Sequence, residues 1–192
     1  MAAPQRHGLL GAMQYALEMM RNRQRAMSSA LLAVRTIARR SLRSGAPPDF
    51  DQLRRLVAYL ERFPQKIHQP AEERHLFAAI ERRTTTVGRA IARAKRDHAA
   101  CQGYQYRLHD ALRRWTGGQA AAGPEVALMA DDYARFCRLH GRIEARDVLS
   151  VAVKVLEPED WWGIEQAYAV AGDPLAGSKS RAECAAALRT IL

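Results

Sequence analysis

The segment KIHQPAEERHLF, residues 66–77, places two histidines and two glutamates in a stretch that otherwise has the spacing of a buried helix face. Ile67, His68, Glu72 and Leu76 fall on one side of such a helix, so an imidazole and a carboxylate point toward the protein interior. Burying these groups without a partner costs several kcal/mol. The segment therefore predicts a helical core that contains something cationic.

The rest of the chain has the composition of a helical domain. Its 192 residues are 48% hydrophobic but only 7% aromatic, so Ala, Leu and Val would dominate the core. Prolines and glycines divide the chain into four long periodic segments, at about 8–42, 49–82, 84–116 and 124–156. Short connections make neighbouring helices antiparallel, which predicts an all-α fold, an up-down four-helix bundle with one or two short additional C-terminal helices.

The boundaries of this bundle follow from the same breaker residues. We expect residues 1–192 to form a single domain, with the bundle at about 8–156 and the C-terminal helices at about 158–192. The segments EPEDWWGIEQAYA and SKSRAECAAALRTIL would be the two C-terminal helices. Pro64 and Pro70 predict kinks in the second long helix, because proline removes a hydrogen-bond donor from the helix interior.

Cysteine usage and hydropathy indicate where the chain resides. Nothing in MAAPQRHGLLGAMQ has the charged start and apolar run of a signal peptide, and no stretch approaches ~18 consecutive apolar residues. Cys101, Cys137 and Cys184 are odd in number and form no CxxC motif, which argues against a secreted disulfide framework. We therefore expect a cytoplasmic protein with no membrane partner.

The net charge of +10 comes mainly from arginine, since only four of the 30 basic residues are lysine. These arginines are scattered along several helices, without a nucleic-acid recognition motif or interleaved aromatic residues. They are typical of solvated helix faces, and we expect no sequence-specific binding of nucleic acid. A basic surface that attracts nucleic acid or an anionic partner remains the alternative.

Three of the four predicted inner faces carry a histidine near mid-helix, namely His68, His98 and His140. In two of them a glutamate follows four residues later, as Glu72 and Glu144. Residues at this spacing differ by about 40° around a helix and about 6 Å along it, so each pair can reach one point in the bundle. A single core histidine is more often a hydrogen-bonded structural residue, but three at equivalent depth favour a metal site. Nitrogen and oxygen donors without thiolates suit iron or manganese.

The motifs IHQPAEERHLFAAI, RDHAAC, FCRLHGRIEARDVLSVAVKVLEPEDW and GDPLAG, in this order, resemble the hemerythrin-like (HHE cation-binding) family. The resemblance implies a non-haem di-iron centre in an up-down bundle. It also implies that His68, His98 and His140 are terminal ligands and that Glu72 and Glu144 bridge. The activities it implies are dioxygen binding, response to nitric oxide or oxygen, iron handling and peroxide decomposition.

The chain departs from the family pattern on its first helix, where Met20 stands at the position of an expected histidine by spacing and phase. A thioether is a poor ligand for an oxygen-rich iron site. We therefore expect one iron position to keep His68 and His98, and the other to keep His140 alone. The protein should then hold closer to one iron than two.

Three further residues adjoin this predicted site. His75 is either a replacement ligand or partner of Glu72, or a histidine at the rim of the bundle, and the rim position is the simpler interpretation. Cys101 and Cys137 fall in one layer beside the metal, where they are either a redox pair or small core residues. The sequence predicts no catalytic residue.

These features together predict a hemerythrin-like non-haem iron protein that binds or senses dioxygen, nitric oxide or peroxide at a site lacking the helix 1 histidine. Two alternatives stay open. One is a metal-poor degenerate bundle acting as an interaction or regulatory module through a basic surface, and the other is a peroxide-decomposing oxidoreductase. The partner would be a small diatomic ligand or peroxide, and a protein partner is left open. Neither the physiological ligand nor the oligomeric state follows from the sequence.

Overall fold

A computed structural model describes residues 9–170, which form helices and short loops without any strand. The helices are α1 (Leu9–Ser44), α2 (50–83), α3 (Gly88–Thr116), α4 (122–155) and α5 (Pro158–Val170). Around the bundle, α1 and α3 each pack against both α2 and α4, and α5 packs on α1. The predicted all-α bundle is confirmed. The predicted helix SKSRAECAAALRTIL, with Cys184, lies outside the described residues.

The loop between α1 and α2 shows how local sequence sets the helix ends. Gly45 has a φ of 70° and its N–H donates to the Ser41 carbonyl at 2.9 Å, which closes the last turn of α1. After two prolines, the Asp49 side chain accepts a hydrogen bond from the Gln52 N–H at 2.9 Å and caps the start of α2. The short connection then makes α1 and α2 antiparallel neighbours.

Helices α2 and α4 contain π-helical segments, and those of α2 begin at Pro64 and two residues after Pro70. The kinks expected at these two prolines stay a prediction. In α2 the π-helical segments are Pro64–His68 and Glu72–Phe77, and in α4 the segment is Glu144–Leu149. The Gln69 N–H donates to the Pro64 carbonyl, five residues back, so the chain stays helical through Pro64. Such segments are rare and are frequently found at functional sites. Here each one begins or ends at a predicted ligand: His68, Glu72 or Glu144.

The bundle contains two apolar clusters with a polar layer between them. One cluster gathers residues from the Leu53, Leu108 and Val126 end of the bundle. The other gathers residues from the opposite end, including Met20 and Trp161. The polar layer consists of buried charged and polar side chains from α1 to α4: Asn22, Arg23, His68, Glu72, His98 and Glu144. Apolar packing above and below therefore holds the polar layer in place.

Helix α5 should stabilise the bundle through one of its two adjacent tryptophans. Trp161 is buried in the second cluster, whereas Trp162 is 40% exposed. We expect Trp161→Ala to lower the free energy of unfolding by about 3–5 kcal/mol, because it leaves a cavity in the second cluster. Trp162→Ala, the matched control, should lower it by less than about 1 kcal/mol. Urea unfolding followed by circular dichroism measures both, and equal effects would contradict this packing of α5.

Candidate metal centre

The five residues predicted as metal ligands lie together in the polar layer. His68, Glu72, His98 and Glu144 are buried, and the His140 side chain is only 14% exposed. Helix α2 supplies His68 and Glu72, α3 supplies His98, and α4 supplies the remaining two. Three different helices therefore converge on one point, as the helical spacing predicts.

Glu72 is at the centre of this group. Its Oε1 lies 3.2 Å from His68 Nε2, and its Oε2 lies 3.2 Å from His98 Nε2. The rings of His98 and His140 pack edge-on with centroids 5.1 Å apart. Donor atoms of Glu72, His98 and His140 all lie within 4.8 Å of one another, close enough to bind one cation. The structure thus groups His98 with His140, and the expected pairing of His68 with His98 at one iron stays a prediction.

Glu144 closes the group from α4. Its Oε2 lies 3.9 Å from His140 Nε2 and accepts a hydrogen bond from Gln24 Nε2 at 3.2 Å. Its other oxygen, Oε1, has no hydrogen-bond partner among the described residues. Glu144 therefore presents one fixed and one free oxygen to the centre of the bundle.

Two of the histidines are oriented by carboxylates on their outer side. Nδ1 of His98 donates to Oε1 of Glu73 at 2.7 Å, and Nδ1 of His140 donates to Oδ2 of Asp97 at 3.4 Å. A carboxylate oxygen accepts, so the proton sits on Nδ1 and each Nε2 keeps its lone pair for the interior. The sequence analysis missed both carboxylates, although each lies next to a predicted ligand in the chain.

Each of the three histidine rings also stacks on a phenylalanine. The pairs are Phe63 with His68, Phe77 with His98 and Phe136 with His140, with centroid separations of 5.8, 5.9 and 6.3 Å. Their interplanar angles are 12° or less, so the rings are nearly parallel. The phenylalanines therefore help to hold the planes of the imidazole rings.

The unsatisfied atoms of this site fit a cation. Both oxygens of Glu72, Oε1 of Glu144, Nε2 of His98 and Nδ1 of His68 are buried without a hydrogen-bond partner among the described residues. Buried polar atoms are nearly always paired, and several unpaired ones in one layer indicate a ligand that takes their lone pairs. Imidazole and carboxylate donors without a thiolate set suit an iron or manganese ion.

Comparison with known proteins agrees with this geometry. The model of the hemerythrin HHE cation-binding domain matches residues 15–152, which include every predicted ligand. The chain belongs to the hemerythrin HHE cation-binding domain family. The comparisons with curated proteins and with solved structures found no match. None of the helices within residues 9–170 of this hemerythrin domain is both long and apolar enough to cross a membrane.

Burial changes the protonation of the hemerythrin site. It raises the pKa of Glu72 to about 8, although Glu144 and the Arg23 charge act in the opposite direction. Burial and the neighbouring Glu72 raise the pKa of Glu144 well above its usual value. Burial and the charge of Arg23 lower the pKa of His68. Near neutral pH the carboxyl groups therefore retain protons unless a cation replaces them.

Arg23 is a buried cation beside this site that the sequence analysis did not predict. Its side chain is fully buried, donates to the Tyr168 carbonyl at 3.0 Å and lies 4.3 Å above the centre of the Tyr168 ring. Its positive charge acts on both His68 and Glu72. Tyr168 of α5 thus holds the positive charge of the Arg23 side chain on the His68 side of the site.

The α1 residue that contacts the ligand group is Gln24, one turn beyond Met20. Met20 is 1% exposed and belongs to the second apolar cluster, so the expectation that it faces the bundle interior is confirmed. Gln24, however, donates to Glu144, and its amide lies against Gly141, where an added Cβ would come within 3.2 Å of it. Gln24 therefore brings an amide from α1 to the predicted carboxylate ligands.

The remaining candidate residues lie outside the ligand group. His75 is exposed, which matches the rim position. Cys101 Sγ lies 3.0 Å from the Tyr133 hydroxyl, and both described thiols are free. Burial raises the pKa of Cys101 and of Cys137, so neither thiolate forms readily at neutral pH. This favours core residues over a redox pair, and a disulfide between them stays a prediction.

An imidazole at position 24 should strengthen cation binding, whereas one at position 20 should not. Gln24→His places a ligand beside Glu144, and Met20→His places a polar ring in an apolar cluster. We expect only Gln24→His to raise the metal retained after dialysis against a chelator, measured by elemental analysis. Met20→His should instead lower the melting temperature. If only Met20→His raised the amount of retained metal, position 20 rather than position 24 would be the ligand position on α1.

The raised pKa of Glu72 predicts a pH-dependent stability of the metal-free protein. The folded chain binds this proton more tightly than the unfolded chain, whose glutamate pKa is near 4.5. The resulting stability is complete below pH 4.5 and is lost as the pH rises through about 8. The glutamine side chain of the Glu72→Gln variant cannot ionise. The melting temperature of this variant should therefore rise relative to that of the wild type as the pH increases from 5 to 8.

Thermal unfolding in the presence of a chelator, followed by circular dichroism at several pH values, measures this difference. Glu81→Gln is the control, because Glu81 lies at the surface and pairs with Lys95. Its difference from the wild type should stay nearly constant across the range. A constant difference for Glu72→Gln as well would show that Glu72 does not take up a proton on folding.

Proposed function

We propose that this hemerythrin domain holds iron and binds or senses dioxygen, nitric oxide or peroxide there. The observation that supports this best is the convergence of Glu72, His98 and His140, whose donor atoms lie within 4.8 Å of one another. Glu144 would complete the donor set. When bound, iron supplies an exchangeable coordination position and a reversible change of oxidation state.

The chain's own residues prepare this centre for such a ligand. Glu73 and Asp97 hold the Nδ1 protons of His98 and His140, which directs both lone pairs inward. Phe77 and Phe136 stack on the same two rings. Both imidazoles are therefore oriented before any ligand enters the site.

We further propose that one iron is held strongly and that a second position, on the His68 side, is weak. Among the described residues, His68 Nε2 lies 3.2 Å from Oε1 of Glu72, and His68 is not part of the group that Glu72 forms with His98 and His140. The charge of the buried Arg23 acts on His68 and Glu72 and would repel a second cation there. Arg23 thus takes over part of the charge neutralisation that a second metal would provide.

The free thiols of Cys101 and Cys137 support the expected cytoplasmic location.

Helix α5 packs its Trp161, Ile164 and Tyr168 side chains into the second cluster, which supports including it in a single domain with the bundle.

The alternative function, an interaction module with a basic surface, would become the better proposal for this chain if the purified protein retained no iron. Whether the domain is a sensor, a carrier or a peroxide-decomposing enzyme depends on what its iron does with each ligand.

Iron analysis of single variants tests the proposed centre. Protein purified without oxygen should contain about one iron, and His98→Ala or His140→Ala should remove most of it. His68→Ala should cause a smaller loss, because it leaves the Glu72, His98 and His140 group intact. His109→Ala is the control, since its side chain is 55% exposed and pairs with Glu61. Equal iron content in all four variants would rule out this centre.

The visible spectrum then tests the function of the bound iron. Addition of air, nitric oxide or peroxide to the reduced protein should give ligand-dependent absorption bands in the wild type. The same bands should be absent from His98→Ala and present in His109→Ala. An iron-loaded protein whose spectrum responds to none of the three ligands would contradict the proposed function.

A further inference from the structure

The histidines of the metal centre line the inner end of a cavity that is much larger than any diatomic ligand. The cavity measures about 740 Å³ and reaches His68, His98 and His140. A water-sized molecule occupies about 30 Å³, whereas pockets of about 300–1,000 Å³ accommodate drug-sized organic molecules. Access of dioxygen, nitric oxide or peroxide alone does not require this volume.

The middle of the cavity is largely apolar. Its walls include Met27 of α1, Pro64 of α2, Cys101 of α3 and Phe136 of α4. Because burial raises the pKa of the Cys101 thiol, that side chain stays neutral and contributes an apolar surface. These walls suit an aliphatic or aromatic group of a ligand. Such a group would lie in van der Waals contact with the end of the cavity that the histidines line.

The outer part of the cavity is lined by four exposed arginines. Arg21 and Arg25 lie one turn apart on α1, and Arg138 and Arg142 lie one turn apart on α4. Helices α1 and α4 pack against each other, so the two pairs belong to the two sides of one opening. Four positive charges thus accompany a cavity whose walls are otherwise mainly apolar.

These arginines lack the acidic partners that other arginines on the same helices have. Arg35 and Arg39, also on α1, both pair with Asp131 of α4. Among the residues from 9 to 170, no carboxylate forms an ion pair with any of the four cavity arginines, and Arg25 contacts only the neutral Asn22 amide. Asp97, the carboxylate that lines the cavity, is hydrogen-bonded to His140. The opening therefore retains an unneutralised positive charge.

We propose that this cavity binds an amphipathic organic anion, with its acidic group at the arginines and its apolar part beside the metal centre. A guanidinium group forms bidentate hydrogen bonds with a carboxylate or phosphate. Guanidinium groups on two opposing helices can bind one such anion between them. The ligand class is a single anionic head on an apolar body of medium length. The inference deepens the proposed function, since it places a substrate or effector next to the proposed iron.

Binding of decanoate to the metal-free and to the iron-loaded protein tests this proposal by isothermal titration calorimetry. Decyl phosphate serves as the second anion, to distinguish a carboxylate from a phosphate head. The uncharged 1-decanol should bind at least about tenfold more weakly than the better anion. Higher salt should weaken anion binding but not decanol binding, because salt screens the arginine charges. Equal affinity for decanoate, decyl phosphate and decanol would overturn the proposal.

Variants locate the bound anion. The double variant Arg138→Gln with Arg142→Gln should weaken anion binding at least about tenfold. Ser29 of α1 also lines the cavity, so Ser29→Phe should weaken anion binding by filling it. The matched control is Arg39→Gln, which removes an arginine of α1 that pairs with Asp131. It should leave the affinity unchanged. Equal losses in the double variant and in the control would overturn the proposal.

Iron content separates this inference from the proposed function. None of these variants changes a proposed metal ligand, so each should retain the iron of the wild type, which also shows that it is folded. A chain that binds decanoate through the arginines but holds no iron would refute only the proposed function. A chain that holds iron but binds neither anion would refute only the organic anion site.

Discussion

The charge of a fully buried carboxylate must be neutralised, and Glu72 imposes this requirement on the centre of the bundle. Its two oxygens lie against two different imidazoles, neither contact is a well-formed hydrogen bond, and its pKa is raised to about 8. A proton, the nearby Arg23 charge and a cation are the three ways to neutralise it. The proton and a cation compete for the same lone pairs, so cation binding and protonation of this site are coupled.

The polar layer around Glu72 is compatible with folding because apolar clusters lie on both sides of it. Each cluster draws side chains from all four long helices, so the layer is held at fixed depth without needing to stabilise itself. The π-helical segments at His68, Glu72 and Glu144 also help to place the side chains of the polar layer. A π-helical turn takes up an extra residue and changes the direction of later side chains, which lets ligands and apolar residues of one helix both face inward.

The sequence predicted the helices and the shared layer of the five candidate ligands, because helical period and breaker residues depend only on local chemistry. It did not predict that donor atoms of His98 and His140 lie within 4.8 Å of each other and of Glu72, because that depends on how the helices are rotated in the bundle. The helical period also predicts the face of the helix on which a residue lies, but not its position along the bundle axis. Met20 and Gln24 share a phase on α1, and only the packing of α1 against Gly141 distinguishes them. Arg23 was missed because burial of an arginine depends on Tyr168 of a later helix.

Helix α1 links the candidate metal centre to the cavity. It presents the Gln24 amide to Glu144 and lines the cavity with its next turn. An amide that donates to a carboxylate oxygen holds that oxygen but gives no lone pair to a cation. The same surface of α1 therefore holds an oxygen of Glu144 and lines the cavity. The proposed iron centre and the proposed anion site consequently share one face of this helix.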